Sequence, residues 1–337
     1  MRMTRRYLTI VVAAIAGVVT LYCTRQRPQQ WHDNSGVVWT TDYHISYLAT
    51  SDLGDSIQAV LQAVDCCASV YNKASLVSRF NAGESVEADA VLDTLYRASV
   101  VVHAQSGGAF DPTVMPLVNA WGFGYKNGSL PTDVQIDSIL QFVGLDRVTL
   151  ADGRLSKSDV RVQLDFSSIA KGLACDEIGR MLQRNRVSQF MVEIGGEVAC
   201  AGVNRQGQPW HVSVDLPSDQ PDTVSHEAAL VLALEQGGIA TSGNYRKYRE
   251  SGGKRISHIV DPATGRSTAS SLLSVTVVAS SCMLADAWAT ACMVLGTERV
   301  MQMMESRSDL GVMTISAGDD EQLMVWSNAR FAHLVVQ

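Results

Sequence analysis

The stretch LDFSSIAKG, residues 164–172, is the sequence feature that most constrains the fold. Residues 161–164 alternate as in a β-strand, and residues 170–182 place apolar side chains at helical spacing. The two serines between them therefore fall at the N-terminus of a helix, where backbone N–H groups and the helix dipole favour an anion. Lys171 adds a positive charge and Asp165 closes the predicted strand, so the stretch predicts a phosphate site in an α/β fold. A capped helix that carries a surface lysine is the alternative interpretation.

The composition is typical of a globular protein with one large core or two modest ones. The chain has 337 residues, 46% of them apolar, and a formal net charge of −7. A nucleic-acid-binding surface needs a basic balance, so we expect no nucleic-acid partner. A compact basic pocket for one nucleotide is still compatible with this charge.

The N-terminus has the pattern of an export signal. Three arginines precede an apolar run from Tyr7 to Tyr22, and Cys23 follows directly. The run is short for a membrane span and long for a signal core, so a cleaved signal and an uncleaved anchor compete. We favour lipidation of Cys23 over a transmembrane helix, although the bulky tyrosine before it is unusual at a cleavage site. The arginines stay inside, so we expect the bulk of the chain to lie outside the cytoplasm.

The chain after the anchor alternates short strands with amphipathic helices. Residues 1–28 are predicted as the anchor with its tether and 29–337 as the domain, with polar composition continuing to residue 35. We predict one strand over Val37 to Tyr47, followed by a helix capped by Ser51. The sequence predicts further helices over 91–102, 132–142, 283–295 and 298–304, and strands over 190–194, 198–201, 210–214, 228–234, 272–279, 312–315 and 323–326. With no repeat or long linker, this predicts a single compact α/β (α+β) domain of mixed sheets with flanking helices, with two lobes as an alternative arrangement.

Four further segments could contribute to a site, although each also has an ordinary structural explanation. Residues 107–113 join helix-ending glycines to an Asp-Pro turn, and residues 241–245 precede several basic residues suited to phosphates. His258, on a predicted apolar strand, could accept a proton from a hydroxyl nucleophile. Asp286 and Thr290 lie four residues apart on one face of an apolar helix. Their oxygens suit Mg²⁺ rather than zinc.

Taken in this order, the segments resemble the ApbE family of FAD:protein FMN transferases. The resemblance covers most of the exported chain. Besides the stretches already described, it includes residues 41–47, 69–71, 78–81, 121–124, 195–196 and 286–296. Each short motif is weak evidence, but the ordered set is specific. The resemblance implies an ApbE-like fold.

The resemblance also implies an activity and its residues. Family members bind FAD and, with Mg²⁺, move its FMN half onto a threonine hydroxyl of a partner flavoprotein, releasing AMP. The residues that match the flavin-nucleotide site are Tyr71, Ala109, Phe110, Asp111, Asp165, Lys171 and Val260. The metal-ligand positions are Ser168, through its carbonyl, with Asp286 and Thr290. His258 matches the histidine that activates the acceptor hydroxyl.

A few positions depart from the family pattern. Trp39 and Thr40 stand where Met-Gly is common, Glu193 where Asn is frequent and Asn244 where Asp is often found. We hypothesise that Trp39 stacks on the flavin or closes over it.

An FAD pyrophosphatase that gives FMN and AMP and a non-catalytic flavin-binding lipoprotein are the alternative functions. The family suggests exported flavin subunits of membrane redox complexes as acceptors.

Overall fold

An eight-stranded sheet forms the centre of the protein. The computed structural model describes residues 28–124, 130–217, 228–244, 248–251, 254–268, 271–318 and 322–336. The strands are β1 Gln30–Val38, β2 Thr41–Ala49, β3 Val86–Glu87, β4 Val148–Ala151, β5 Arg154–Lys157, β6 Phe190–Ile194, β7 Glu197–Ala201, β8 Trp210–Asp215, β9 Ala228–Leu234, β10 Gln236–Gly243, β11 Tyr248–Ser251, β12 Lys254–Ser257, β13 Leu272–Ala279, β14 Gly311–Ala317 and β15 Leu323–Ser327. The central sheet has the order β1-β2-β6-β7-β10-β13-β14-β15, and each of these pairings is antiparallel.

The helices of the described residues are α1 Gly54–Ala68, α2 Leu76–Asn81, α3 Ala90–Gln105, α4 Met115–Ala120, α5 Asp133–Leu140, α6 Ala170–Arg184, α7 Cys282–Leu295, α8 Thr297–Met304 and α9 Ala329–Ala332. Buried side chains of α1–α3 and α6–α8 form the main core on one face of the sheet, whereas Phe331 of α9 packs on the other face. Leu117 of α4 and Ile136 of α5 belong to a third, separate cluster. Successive side chains of β13 point to opposite faces of the sheet, so its alternate residues belong to different cores. Val275 and Val277 belong to the main core with the helices, whereas Val278 belongs to a smaller core with Trp210 of β8 and Leu232 of β9.

The prediction of a single α/β (α+β) domain is confirmed. The predicted helices and strands after residue 90 are present within a few residues of their expected bounds, except for residues 161–164. Apolar periodicity identified most of them because these elements bury one face in a core, whereas Leu323, Met324 and Val325 of β15 are exposed. No helix in the described ranges is long and apolar enough to span a membrane. The predicted anchor with Cys23 lies outside the described residues, as do Tyr245 to Lys247 of the predicted basic segment.

The prediction of one strand over Val37 to Tyr47 is wrong. The chain reverses at Trp39 and Thr40, whose φ angles of 49° and 65° are those of a tight hairpin turn. Residues 30–35, predicted as part of a tether, instead belong to β1. They are polar because β1 is an edge strand that faces water, so it lacks the alternating apolar pattern of a half-buried strand.

The prediction that Ser51 caps the first helix is also wrong. Helix α1 begins at Gly54, and the residue before it has no side-chain cap. The Tyr47 hydroxyl accepts the Leu53 N–H at 2.7 Å, and Asp52 Oδ1 accepts the Gly54 N–H at 3.0 Å. Two neighbouring side chains therefore satisfy the donors that a serine cap would take.

The strand predicted over residues 161–164 does not form. The side chain of Asn81 takes the place of a neighbouring strand, since its Oδ1 accepts the Leu164 N–H at 2.7 Å and its Nδ2 donates to the Leu164 carbonyl at 2.8 Å. The next residue, Asp165, donates its N–H to the carbonyl of Pro112 at 2.7 Å. This pairing with distant loops cannot be read from a local alternating pattern.

Candidate active site

Helices α6 and α7 approach each other very closely where α6 begins. The Gly172 N–H donates to Asp286 Oδ2 at 3.1 Å. A Cβ atom at position 172 would lie 2.5 Å from the Cys282 carbonyl oxygen and 2.8 Å from the Met283 Cα. Only glycine therefore permits this contact, and it brings the lysine-bearing start of α6 next to the aspartate of α7.

Asp176 of α6 fastens the N-terminus of α7. Its Oδ1 accepts the Cys282 N–H and its Oδ2 accepts the Met283 N–H, both at 2.9 Å. Such a carboxylate satisfies two backbone donors of the first turn and interacts favourably with the helix dipole. The position of Asp286, one turn further along α7, is thus set by two contacts with α6.

A cluster of one half-buried cation and two buried carboxylates lies at this junction. Lys171 Nζ donates to Glu197 Oε1 at 2.6 Å, at the start of β7. Glu197 and Asp286 are 4% and 3% exposed. Burial raises the pKa of both carboxyl groups, and Lys171 opposes this. Burial alone would lower the pKa of Lys171, but Asp286 and Glu197 outweigh that effect and raise it.

The predicted metal-ligand residues are compatible with a hard cation. Within the described residues, the Gly172 N–H is the one hydrogen-bond donor to the Asp286 carboxylate. Thr290 is half-buried, with Oγ1 3.3 Å from Ser242 Oγ, and Ser168 lies in the turn before α6. When all three charged groups are ionised, the cluster has one negative charge in excess. The oxygens and this excess charge fit Mg²⁺. No group of three or more His, Cys, Asp or Glu able to hold a metal occurs in the described ranges.

Two predicted nucleotide-binding segments meet beside the start of α6. The hydrogen bond from the Asp165 N–H to the Pro112 carbonyl joins the segment before α6 to the segment of residues 107–113. Asp111 Oδ1 accepts the Thr113 N–H at 2.8 Å and its hydroxyl at 2.6 Å, and Oδ2 accepts the Leu145 N–H at 3.1 Å. The Asp111 carboxylate is therefore engaged in holding its loop, so it is not available as a simple ligand for the nucleotide.

The neighbouring side chains of these segments are also turned inward. Ala109 and Phe110 are 9% and 1% exposed. What the 109–111 segment presents to a nucleotide is therefore mainly backbone. Asp165 Oδ1 accepts the Ser167 N–H at 2.8 Å, which closes the turn that leads into α6.

Asp65 links Trp39 to the loop that carries Tyr71. Its Oδ1 accepts the Trp39 Nε1–H at 3.1 Å, and its Oδ2 accepts from Asn72 Nδ2 at 2.8 Å. Trp39 is half-buried. Tyr71, the residue before Asn72, is 72% exposed. An exposed aromatic ring on a hydrogen-bonded loop is suited to stacking on a planar ligand.

The prediction that His258 lies on a strand is wrong, because β12 ends at Ser257. His258 follows this strand and lies against the Trp-Gly-Phe-Gly segment. Its ring is edge-on to Phe123, with 6.2 Å between centroids and an interplanar angle of 68°. Trp121 Nε1 donates to the Gly265 carbonyl at 2.8 Å, which ties this segment to the turn after the histidine. Val260 is 6% exposed and packs with Leu117, so its side chain is structural.

Comparison with known proteins identifies the family. The model of the ApbE family matches residues 39–314. This chain belongs to the ApbE family. An ApbE relative named FAD:protein FMN transferase from Vibrio cholerae is 37% identical over 320 residues, covering 92% of this chain and 94% of that protein. The protein of the same name from Escherichia coli K12 is 35% identical, covering 85% of this chain and 83% of that protein.

Solved ApbE structures share the fold. The flavin transferase ApbE from Vibrio cholerae aligns with a TM-score of 0.81 at 33% identity, covering 91% of this chain and 100% of that chain. The apo flavinyl transferase ApbE from Pseudomonas stutzeri aligns with a TM-score of 0.81 at 30% identity, covering 91% and 97%. The ApbE resemblance predicted from the ordered motifs is confirmed.

Two residues of this ApbE-family site were missed by sequence reasoning. Glu197 directly follows the glycine pair 195–196 and begins strand β7, whose residues are buried on both faces. An acidic residue at the start of such a strand was the signal that could have identified it. Asp65 lies in an amphipathic helix, where nothing in the pattern distinguishes it from a surface acid. Their importance is apparent only from the partners that the ApbE fold brings to them.

Proposed function

We propose that this chain is an FAD:protein FMN transferase that moves the FMN half of FAD onto a threonine hydroxyl of a partner flavoprotein, with Mg²⁺ as cofactor and AMP as product. The observation that carries the proposal is the cluster of half-buried Lys171 with buried Glu197 and Asp286, which has excess negative charge and lies at a helix N-terminus. The relatives named FAD:protein FMN transferase support the same reaction.

The reaction exchanges one phosphorus–oxygen bond for another. The threonine Oγ forms a bond to the phosphorus of the FMN half, the bond from that phosphorus to the bridging oxygen breaks, and AMP departs with the bridging oxygen. Neutral His258 accepts the threonine proton. Its position against Phe123 restricts the orientation of the ring. Little covalent help from the enzyme is required, because positioning and charge neutralisation dominate phosphoryl transfer.

Each remaining residue binds or positions the reactants. Asp286, Thr290 and the Ser168 carbonyl would hold Mg²⁺, which supplies neutralisation of charge on the phosphoryl oxygens. Lys171 contributes a permanent positive charge beside them. Trp39 and Tyr71 contact the flavin ring, and the backbone of residues 109–111 and 165 approaches the nucleotide.

The protein acts at the extracytoplasmic face of the bacterial inner membrane. The support is the order of arginines, apolar run and Cys23 in the sequence, which fits anchoring by a lipidated cysteine or by an N-terminal helix. Its acceptors are exported flavoprotein subunits of membrane redox complexes. An FAD pyrophosphatase, with water in place of threonine, and a flavin-binding lipoprotein are the competing functions.

The deciding experiment incubates the protein with FAD, Mg²⁺ and an acceptor flavoprotein subunit, followed by denaturing gel electrophoresis. Flavin fluorescence on the acceptor band, absent with EDTA or with an acceptor lacking its threonine, is the expected result. Release of FMN and AMP without labelled acceptor favours the pyrophosphatase, and intact FAD favours the binding protein. His258→Gln should abolish labelling while FAD still binds, as measured by quenching of flavin fluorescence.

A further inference from the structure

Lys171 has two buried carboxylates near it but hydrogen-bonds only one in the described part of the chain. Its ammonium group donates to Glu197 Oε1 at 2.6 Å, and the charge of Asp286 acts on it without a hydrogen bond. Asp286 instead accepts a backbone N–H from Gly172. The lysine therefore leaves the carboxylate of Asp286 without an ammonium partner.

Glu197 is poorly explained as a stabilising residue. It is 4% exposed, and its Oε2 is buried with no hydrogen-bond partner among the described residues. A buried carboxylate oxygen without a donor is costly, and an apolar side chain of similar size would avoid this cost. A residue that costs stability in this way is expected to serve the site.

We infer that Glu197 is a positioning residue that holds the Lys171 ammonium away from Asp286 and so keeps an Asp286 oxygen available to a divalent cation. The inference rests on the proposed function, because it takes Asp286 as a ligand of Mg²⁺. Glu197 itself contacts neither the metal nor the reacting atoms. Its effect passes through Lys171.

The physical reason is competition for one carboxylate. The Lys171 side chain is 31% exposed, and its ammonium group is still stabilised by a negative partner, since an unpaired charge that is partly removed from water is unfavourable. When the Glu197 charge is removed, Asp286 becomes the remaining charged partner in the cluster. A Lys171–Asp286 ion pair would occupy the oxygen that the metal needs and cancel the excess negative charge that attracts it.

The test measures Mg²⁺ binding directly, by calorimetry on protein freed of metal. Glu197→Gln should weaken the Mg²⁺ affinity by about 10-fold to 100-fold, which is the range expected when a residue that positions a metal ligand is replaced. Adding Lys171→Met to Glu197→Gln should restore the affinity to within about threefold of Lys171→Met alone, because the competing ammonium is gone. A purely structural role for Glu197 predicts no such rescue.

Two controls keep the outcome clear. Glu193→Gln removes the same charge from β6, outside the cluster, and should leave Mg²⁺ affinity unchanged. Glu197→Asp keeps the charge, so it should bind Mg²⁺ more tightly than Glu197→Gln. If Glu197→Gln does not fold by circular dichroism, Glu197→Met, which also removes the charge at similar size, replaces it in the comparison with Lys171→Met.

The results separate the inference from the proposed function. Unchanged affinity in Glu197→Gln, or a double variant as weak as the single one, would overturn the inference even if the wild type transfers FMN. Rescue in a protein that labels no acceptor would support the inference and overturn the proposed function. A wild type that binds no Mg²⁺ would overturn both.

Discussion

The backbone N–H of Gly172 donates a hydrogen bond of 3.1 Å to Asp286 Oδ2, across 114 residues of sequence. This bond requires that the start of α6 lies almost in contact with the backbone of α7. The same junction contains Lys171, Glu197 and the first turn of α7 capped by Asp176. The geometry of the proposed metal site therefore depends on how closely two helices approach.

Gly172→Ala should separate these helices. The added methyl group meets backbone atoms of Cys282 and Met283 that cannot rotate away, so we expect a loss of about 1–3 kcal/mol in the free energy of unfolding. Mg²⁺ affinity should also fall, because Asp286 shifts with α7. Urea denaturation and calorimetry measure the two effects.

Gly179→Ala is the matched control on the same helix. Its added Cβ would lie 3.0 Å from the Phe190 ring, which is a side chain that can move slightly. We expect a change within about 1 kcal/mol, since alanine also favours the helix. Equal effects of both substitutions would argue against a special role for the junction.

Asp176→Ala should destabilise the start of α7. The substitution leaves the Cys282 and Met283 N–H groups without their acceptor, which costs about 1–3 kcal/mol in the free energy of unfolding. Glu177→Ala, which removes an acid that pairs with Arg180 at the surface, should cost less than about 1 kcal/mol. Thermal and urea unfolding compare the two, and a smaller loss for Asp176→Ala would contradict the prediction.

Asp65→Ala should weaken FAD binding without removing an aromatic residue. It releases the Trp39 indole and the loop that carries Tyr71, so about threefold to tenfold weaker affinity is expected from the loss of their positioning. Titration of FAD with quenching of flavin fluorescence measures this. Gln62→Ala, at an exposed position on the same helix, should have no effect.

The metal-free protein should show a pH-dependent stability that depends on Glu197. Burial, opposed by Lys171, raises the pKa of Glu197 from its ordinary 4.5 to about 7. Because the folded chain then binds the proton more tightly than the unfolded chain, this contribution is fully present below pH 4.5 and is lost as the pH rises through about 7.

The measurement is urea denaturation in EDTA across that window. Relative to Glu197→Gln, the wild type should lose on the order of 1–3 kcal/mol of unfolding free energy between these pH values. Comparison with the variant removes the contributions of Asp165 and Asp176, two half-buried acids whose pKa is also raised. Parallel pH profiles for the two proteins would contradict the prediction.

The predictable part of the fold is the part with strong local periodicity. Helix α6 was predicted because its apolar residues recur at helical spacing along one buried face. Strand β13 was predicted because it is a short, continuous apolar run that is buried on both faces. Edge strand β1 was missed because it is polar and faces water, and the hairpin at Trp39 and Thr40 lacked the glycine or asparagine that usually marks such a turn.

The sequence by itself determined the family and the order of its motifs, and it supplied the residue types of the proposed nucleotide and hard-cation sites. These depend on short segments whose chemistry is local, such as the lysine at the start of α6 and the Asp286 and Thr290 pair on one helix face. Tertiary structure alone decided that Lys171 hydrogen-bonds Glu197 rather than Asp286, and that Asp65 holds two distant aromatic segments. The reason is that a buried charge takes its partner from whatever the packing of helices and strands brings within hydrogen-bond distance, which no sequence spacing specifies.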